Sequence, residues 1–73
     1  MDIRESMIKA LKKMYEAEID IAKATIQVYL DKPAGIGEHP QFVEELDKLM
    51  SKIAEAEDKL TVVNQRFDLD IPF

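Results

Sequence analysis

The side chains able to act as acid, base or ligand fall in a few places along the chain. His39 is the single histidine and follows Glu38 in the run Pro33-Ala34-Gly35-Ile36-Gly37-Glu38-His39-Pro40. An imidazole beside a carboxylate can work as a general base or a pH switch when a pocket and a partner hold it. The sequence offers neither, and His39 reads more simply as a helix N-cap or as a packing partner of Glu38. Gly35 and Gly37 have the spacing of a phosphate cradle, in which backbone N–H groups point at an anion. No strand precedes them, no P-loop lysine follows, and Glu38 adds repulsion, so a nucleotide site is rejected. The run reads as a tight interhelical turn, with Ile36 expected to plug the end of the helix pair.

Two groups of carboxylates, Glu16, Glu18 and Asp20 with Glu44, Glu45 and Asp47, invite comparison with di-metal helical bundles. Such sites need inward-pointing acids together with Glu-x-x-His motifs on facing helices. The chain has no Glu-x-x-His, and Glu16 and Asp20 fall toward solvent. Glu18, nearest the apolar side, reads as a pairing residue at a dimer edge. With no Cys in the chain, disulfides, cysteine-bound zinc, iron–sulfur clusters and thiol nucleophiles are excluded. No metal, no cofactor and no catalytic residue is expected, and the reading is non-enzymatic, with a carboxylate-bundle metal protein as an alternative.

Lys9, Lys12 and Lys13 could touch a phosphate backbone, but they lack a neighbouring aromatic platform. The formal charge of -5 and a pI near 4.7 have the wrong sign for a general nucleic-acid or anionic-membrane binder. No apolar stretch is long enough to span a bilayer, and the amino end does not resemble a signal peptide. No nucleic acid and no membrane is expected as partner, and the expected location is cytoplasmic.

What positions these residues is a pair of long helices. The 73 residues, 47% hydrophobic and 34% charged with only two Gly, fit one thin helix-rich domain. Asp2 and Glu5 have the spacing of a capping box, so the first helix should start near Asp2. An apolar series then runs Ile3, Met7, Ala10, Met14, Ala17, Ile21, Ala24, Val28, a heptad seam that ends at Asp31-Lys32-Pro33. Pro40 suits the first turn of a second helix, and Glu44, Glu45 and Asp47 suit its positive dipole end. Its seam reads Phe42, Leu46, Leu49, Ile53, Ala56, Leu60, Val63, Phe67. The expected fold is all-α: an antiparallel two-helix hairpin over residues 1–67, with helices at about 2–31 and 40–67, a connector at 32–39 and an extended tail at 68–73.

The first helix carries a second apolar row, Ile8, Leu11, Tyr15, Ala22 and Tyr29, with Ile19, Ile26 and Leu30 close by. One partner helix cannot cover both rows. Val43, Met50 and Ala54 widen the second helix in the same way. The two seams are expected to pack on each other, with Ala10, Ala17 and Ala24 admitting a close approach of bulky residues from the second helix. The remaining surface predicts self-association into a homodimeric four-helix bundle, with a trimer or a dimer of dimers as alternatives, because one core rarely suffices at this size. The expected oligomer interface is Met7, Ile8, Leu11, Met14, Tyr15, Ile19, Ala22, Ile26 and Tyr29. Parallel and antiparallel docking both remain open.

Charge supports a hairpin. Residues 1–15 hold Arg4, Lys9, Lys12 and Lys13 against Asp2 and Glu5, whereas residues 38–58 hold seven acids against Lys48 and Lys52. Folding back should set Lys12 and Lys13 near Glu55, Glu57 and Asp58, and Glu5–Lys9, Lys12–Glu16, Glu44–Lys48 and Glu55–Lys59 should pair along the helices.

Beyond Arg66 the period changes. Phe67, Leu69, Ile71 and Phe73 alternate with Asp68 and Asp70, and Pro72 forbids helix, so the end reads as extended. It either folds over an apolar edge of the bundle or docks into a partner's groove. This acidic, aliphatic and aromatic end, with Gln65 upstream, is similar to the sliding-clamp-binding tails of phage and bacterial replication proteins. That resemblance implies an adaptor whose tail engages a replication protein.

A second resemblance covers about residues 14–63. The run Tyr29-Leu30-Asp31-Lys32-Pro33-Ala34-Gly35-Ile36-Gly37-Glu38-His39-Pro40, followed by Ile53-Ala54-Glu55-Ala56-Glu57-Asp58-Lys59-Leu60, resembles small uncharacterised proteins of marine cyanophages. It implies a phage source and action in the host cytoplasm, and it supplies no activity and no catalytic residue.

Overall fold

Two helices account for the structure, a computed structural model that describes residues 2–31 and 42–67. Helix α1 spans Ile3–Asp31 and helix α2 spans Phe42–Arg66. The connector with Ile36 and His39, the expected start of the second helix at Pro40, and the tail from Asp68 onward lie outside the described residues.

Asp2 caps α1 as its position predicts. The Glu5 backbone N–H donates to the Asp2 carboxylate at 2.7 Å, and the Ser6 N–H donates to the Asp2 carbonyl at 3.1 Å. The reciprocal half of the box gives way to another contact, because the Glu5 carboxylate turns along the helix to Lys9 at 3.4 Å. Near its other end α1 carries a Thr25 hydroxyl donating to the Ile21 carbonyl at 2.8 Å and a Gln27 amide donating to Asp31 at 3.0 Å. Helix α2 runs on one further bond, from the Phe67 N–H to the Val63 carbonyl at 2.8 Å.

The helices pack antiparallel. Next to the connector the Tyr29 and Phe42 rings stand with centroids 5.7 Å apart and tilted by 38°. Half the helix length away, the Lys59 ammonium lies 5.7 Å from the centre of the Tyr15 ring. Between these contacts sit Ala22 and Ala56, 2% and 1% exposed, and Ile26 and Val63 complete the buried set. Small side chains at the most covered points let two backbones approach closely.

Helix α2 presents the expected seam from Phe42 to Val63, whereas Phe67, its expected last member, is exposed just beyond the helix end. Leu46, Leu49, Ile53 and Leu60 are half-buried around Ala56 and Val63, while Val43, Met50 and Ala54 face solvent. Helix α1 reverses the expected assignment. The row that faces α2 is Ile8, Leu11, Tyr15, Ile19, Ala22, Ile26 and Tyr29, all buried or half-buried. The predicted seam, Ile3 through Val28, points away: every member is exposed. Both rows are apolar at heptad spacing, so periodicity alone does not choose between them. Side-chain bulk does. The buried row contains one alanine and the exposed row three, and each additional buried methylene contributes ~0.8 kcal/mol.

The expected ion pairs across the hairpin do not form. Among the described residues every ion pair runs along one helix: Lys9–Glu5, Lys48–Glu45 and Lys59–Glu55. Lys48 takes Glu45 in place of the expected Glu44, and Lys12–Glu16 is absent from this set. Glu55, Glu57 and Asp58 are all exposed, and a solvated carboxylate gains little from being reached across the hairpin.

The result is thin. The principal extents are 53 × 18 × 15 Å and the radius of gyration is 16.4 Å, against about 11 Å for a compact domain of this length. The accessible surface of 5834 Å² exceeds the ~4600 Å² expected for a compact monomer of the same mass.

Candidate interaction face

The exposed row of α1 is the part of the surface that packing between the two described helices leaves uncovered. Its large members range from 49% exposed at Met14 to 78% at Ile3, with Met7, Ile21 and Val28 between. Ala10, Ala17 and Ala24 separate them, so the face alternates knobs with shallow gaps over a length of about 38 Å. It lies roughly 130° around α1 from the row that packs on α2, a rotation that follows from about 100° per residue. A second protein seated on it would therefore touch the far side of α1.

Two polar edges border the row. One carries Ser6, Lys13, Asp20 and Gln27, all exposed. The other carries Arg4, Leu11, Glu18 and Thr25 and runs beside α2. Along that second edge the two helices enclose an open groove of ≈ 680 Å³, with Glu18, Ala22 and Tyr29 of α1 on one side and Lys52, Glu55 and Lys59 of α2 on the other. One ion pair of the groove runs along α2. Lys59 bonds Glu55 at 3.1 Å, and this hydrogen bond, with the Coulombic pull of the same carboxylate, raises the Lys59 pKa above its ordinary value.

Of the residues expected at an oligomer interface, only Met7 and Met14 lie on the exposed face. Ile8, Leu11, Tyr15, Ile19, Ala22, Ile26 and Tyr29 are taken up within the hairpin, because their bulk wins the contact with α2. The residues that sequence reasoning placed inside the hairpin, Ile3, Ala10, Ala17, Ile21, Ala24 and Val28, are the ones left outside. Their exchange was foreshadowed by one signal, the three alanines in the first row against the single alanine in the second. Phe67, the first of the four residues expected to dock on a partner, is 42% exposed; Leu69, Ile71 and Phe73 lie outside the described residues.

Glu16, Glu18 and Asp20 on α1 remain separate from Glu44, Glu45 and Asp47 on α2: among the described residues no three acidic or metal-binding side chains converge. No helix among those residues is long and apolar enough to cross a membrane. Compared with protein-family models, curated proteins and solved structures, the chain matches none.

Proposed function

We propose that the protein is a non-enzymatic helical hairpin that self-associates and acts through protein–protein contact. The observation that carries this reading is the exposed row from Ile3 to Val28, a sustained apolar face on a folded chain. Contiguous apolar surface of this kind marks an interaction site, and burying it contributes about 25 cal/mol per Å² removed from water. The hairpin alone buries only Ala22, Ile26, Ala56 and Val63 among the described residues, a small core for independent stability. A second copy adds a helix to the face and brings the assembly to four helices. The resemblance of the connector region to cyanophage proteins fits a small chain working in a host cytoplasm.

The test is molar mass in solution by light scattering over a dilution series. A dimer near twice 8.4 kDa that dissociates on dilution is expected. A monomer at every concentration would overturn self-association.

A further inference from the structure

The geometry points to a second copy docked antiparallel on the exposed row of α1, in a single register that sets Met14 against Ala17 of the partner subunit. This inference rests on the self-association just proposed and specifies how it is built.

The first argument is size. Met7, Met14, Ile21 and Val28 alternate along the face with Ile3, Ala10, Ala17 and Ala24. In a parallel pair each layer meets its own copy, so Met meets Met and Ala meets Ala, and the helices cannot keep one separation. In an antiparallel pair the two alternating sets face each other. Met7 then meets Ala24 of the partner subunit, Ala10 meets Ile21 of the partner subunit, and Met14 meets Ala17 of the partner subunit. Ile3 and Val28 close the two ends. Every bulky side chain between the ends has an alanine opposite, and no member of the row is left over.

The second argument is charge, and it fixes the register. On the solvent edge the same alignment brings Lys13 to Asp20 of the partner subunit, and two-fold symmetry repeats the pair. Ser6 meets Gln27 of the partner subunit. Sliding by one heptad in one direction sets Lys13 against its own copy; sliding the other way sets Asp20 against its own copy. Either slip also strips one end of the row of its partners. The slip that opposes the lysines would bring Arg4 toward Glu18 of the partner subunit, but Glu18 already lines the groove beside Lys59. Lys13 and Asp20 are exposed and make no ion pair within the described residues, so both stand ready for a partner. Since the face lies on the far side of α1 from α2, the four helices stack in the order α2, α1, α1, α2, and the two copies of α2 stay apart.

The chain has no cysteine, which makes the test direct. Ala10→Cys and Ile21→Cys proteins are prepared separately, mixed, equilibrated and oxidised. Both positions are exposed in the hairpin, and circular dichroism confirms that each variant folds. The expected product is the mixed disulfide, with few homodisulfides of either variant. Predominant homodisulfides in a sample that light scattering shows to be dimeric would overturn the antiparallel register while leaving self-association intact. No dimer and no disulfide would overturn both. Charge reversal supplies an independent reading: Lys13→Asp is expected to weaken the dimer by about tenfold, and Lys13→Asp with Asp20→Lys to restore it. A parallel pair would place Lys13 near Glu18 of the partner subunit, so Asp20→Lys would then give no rescue.

Discussion

Tyr29 of α1 and Phe42 of α2 hold their rings 5.7 Å apart at a 38° tilt, joining the last turn of one helix to the first turn of the next. Tilted aromatic pairs contribute about 0.5–1.5 kcal/mol beyond the area they bury. The two rings pin the carboxyl end of α1 to the amino end of α2. A double-mutant cycle with Tyr29→Leu and Phe42→Leu, followed by urea unfolding, is expected to return a coupling in that range. A coupling indistinguishable from zero would mean that each ring acts through its own burial.

The Asp2 cap is local and should behave so. Its carboxylate accepts the Glu5 N–H at 2.7 Å in an exposed position. Asp2→Ala is expected to cost about 0.5–2 kcal/mol, with faster amide exchange confined to Arg4, Glu5 and Ser6. Exchange rates at Ile26 and Ala56 should stay unchanged unless the whole hairpin opens. Uniform acceleration along both helices would show instead that the cap controls global stability.

The sequence made the helices legible and left the facing of one of them ambiguous. Heptad spacing, the Asp2 cap and Pro33 predict α1 almost to the residue, and the α2 seam from Phe42 to Val63 packs as read. Both helices are long, and a period repeated over many turns averages out local exceptions. On α1 two rows share that period, and only the summed bulk of Ile8, Leu11, Tyr15, Ile19 and Ile26 decides which of them α2 covers. The row containing Ala10, Ala17 and Ala24 has the cleaner repeat but less area to bury, so regularity favoured the wrong row. Lys12 and Lys13 failed to pair with α2 for a related reason: sequence distance reports that charges can meet, not that exposed side chains gain from meeting.

Lys59 links the hairpin to pH. Its hydrogen bond to Glu55 and the attraction of the same carboxylate raise its pKa above the ordinary value of 10.5. A pKa raised in the folded state contributes stability that is complete below the unfolded value and is lost as pH rises through the folded one. The loss therefore falls on the alkaline side, above about pH 10.5, and it also removes the ammonium from the Tyr15 face. Thermal unfolding followed from pH 9 to 11.5 is expected to fall more steeply for the native chain than for Lys59→Met. Parallel curves would show that Glu55 and Tyr15 gain nothing from the charge of Lys59.

Ala56 and Ala17 separate the two contacts that the helices can make. Ala56 is 1% exposed against α1, whereas Ala17 stands on the open row. Ala56→Leu forces a larger side chain into the closest approach of the hairpin and is expected to cost about 1–3 kcal/mol. That loss should persist at every protein concentration, because it arises within one chain. Ala17→Leu leaves the hairpin intact but fills the gap that would receive Met14 of the partner subunit. Its effect should appear as a weaker dependence of Tm on protein concentration, since a subunit that binds only the folded form stabilises it by mass action. Melting curves at two concentrations about a hundredfold apart distinguish the cases. A Tm that drops equally at both for Ala17→Leu would move Ala17 into the hairpin core and return the exposed row to α2.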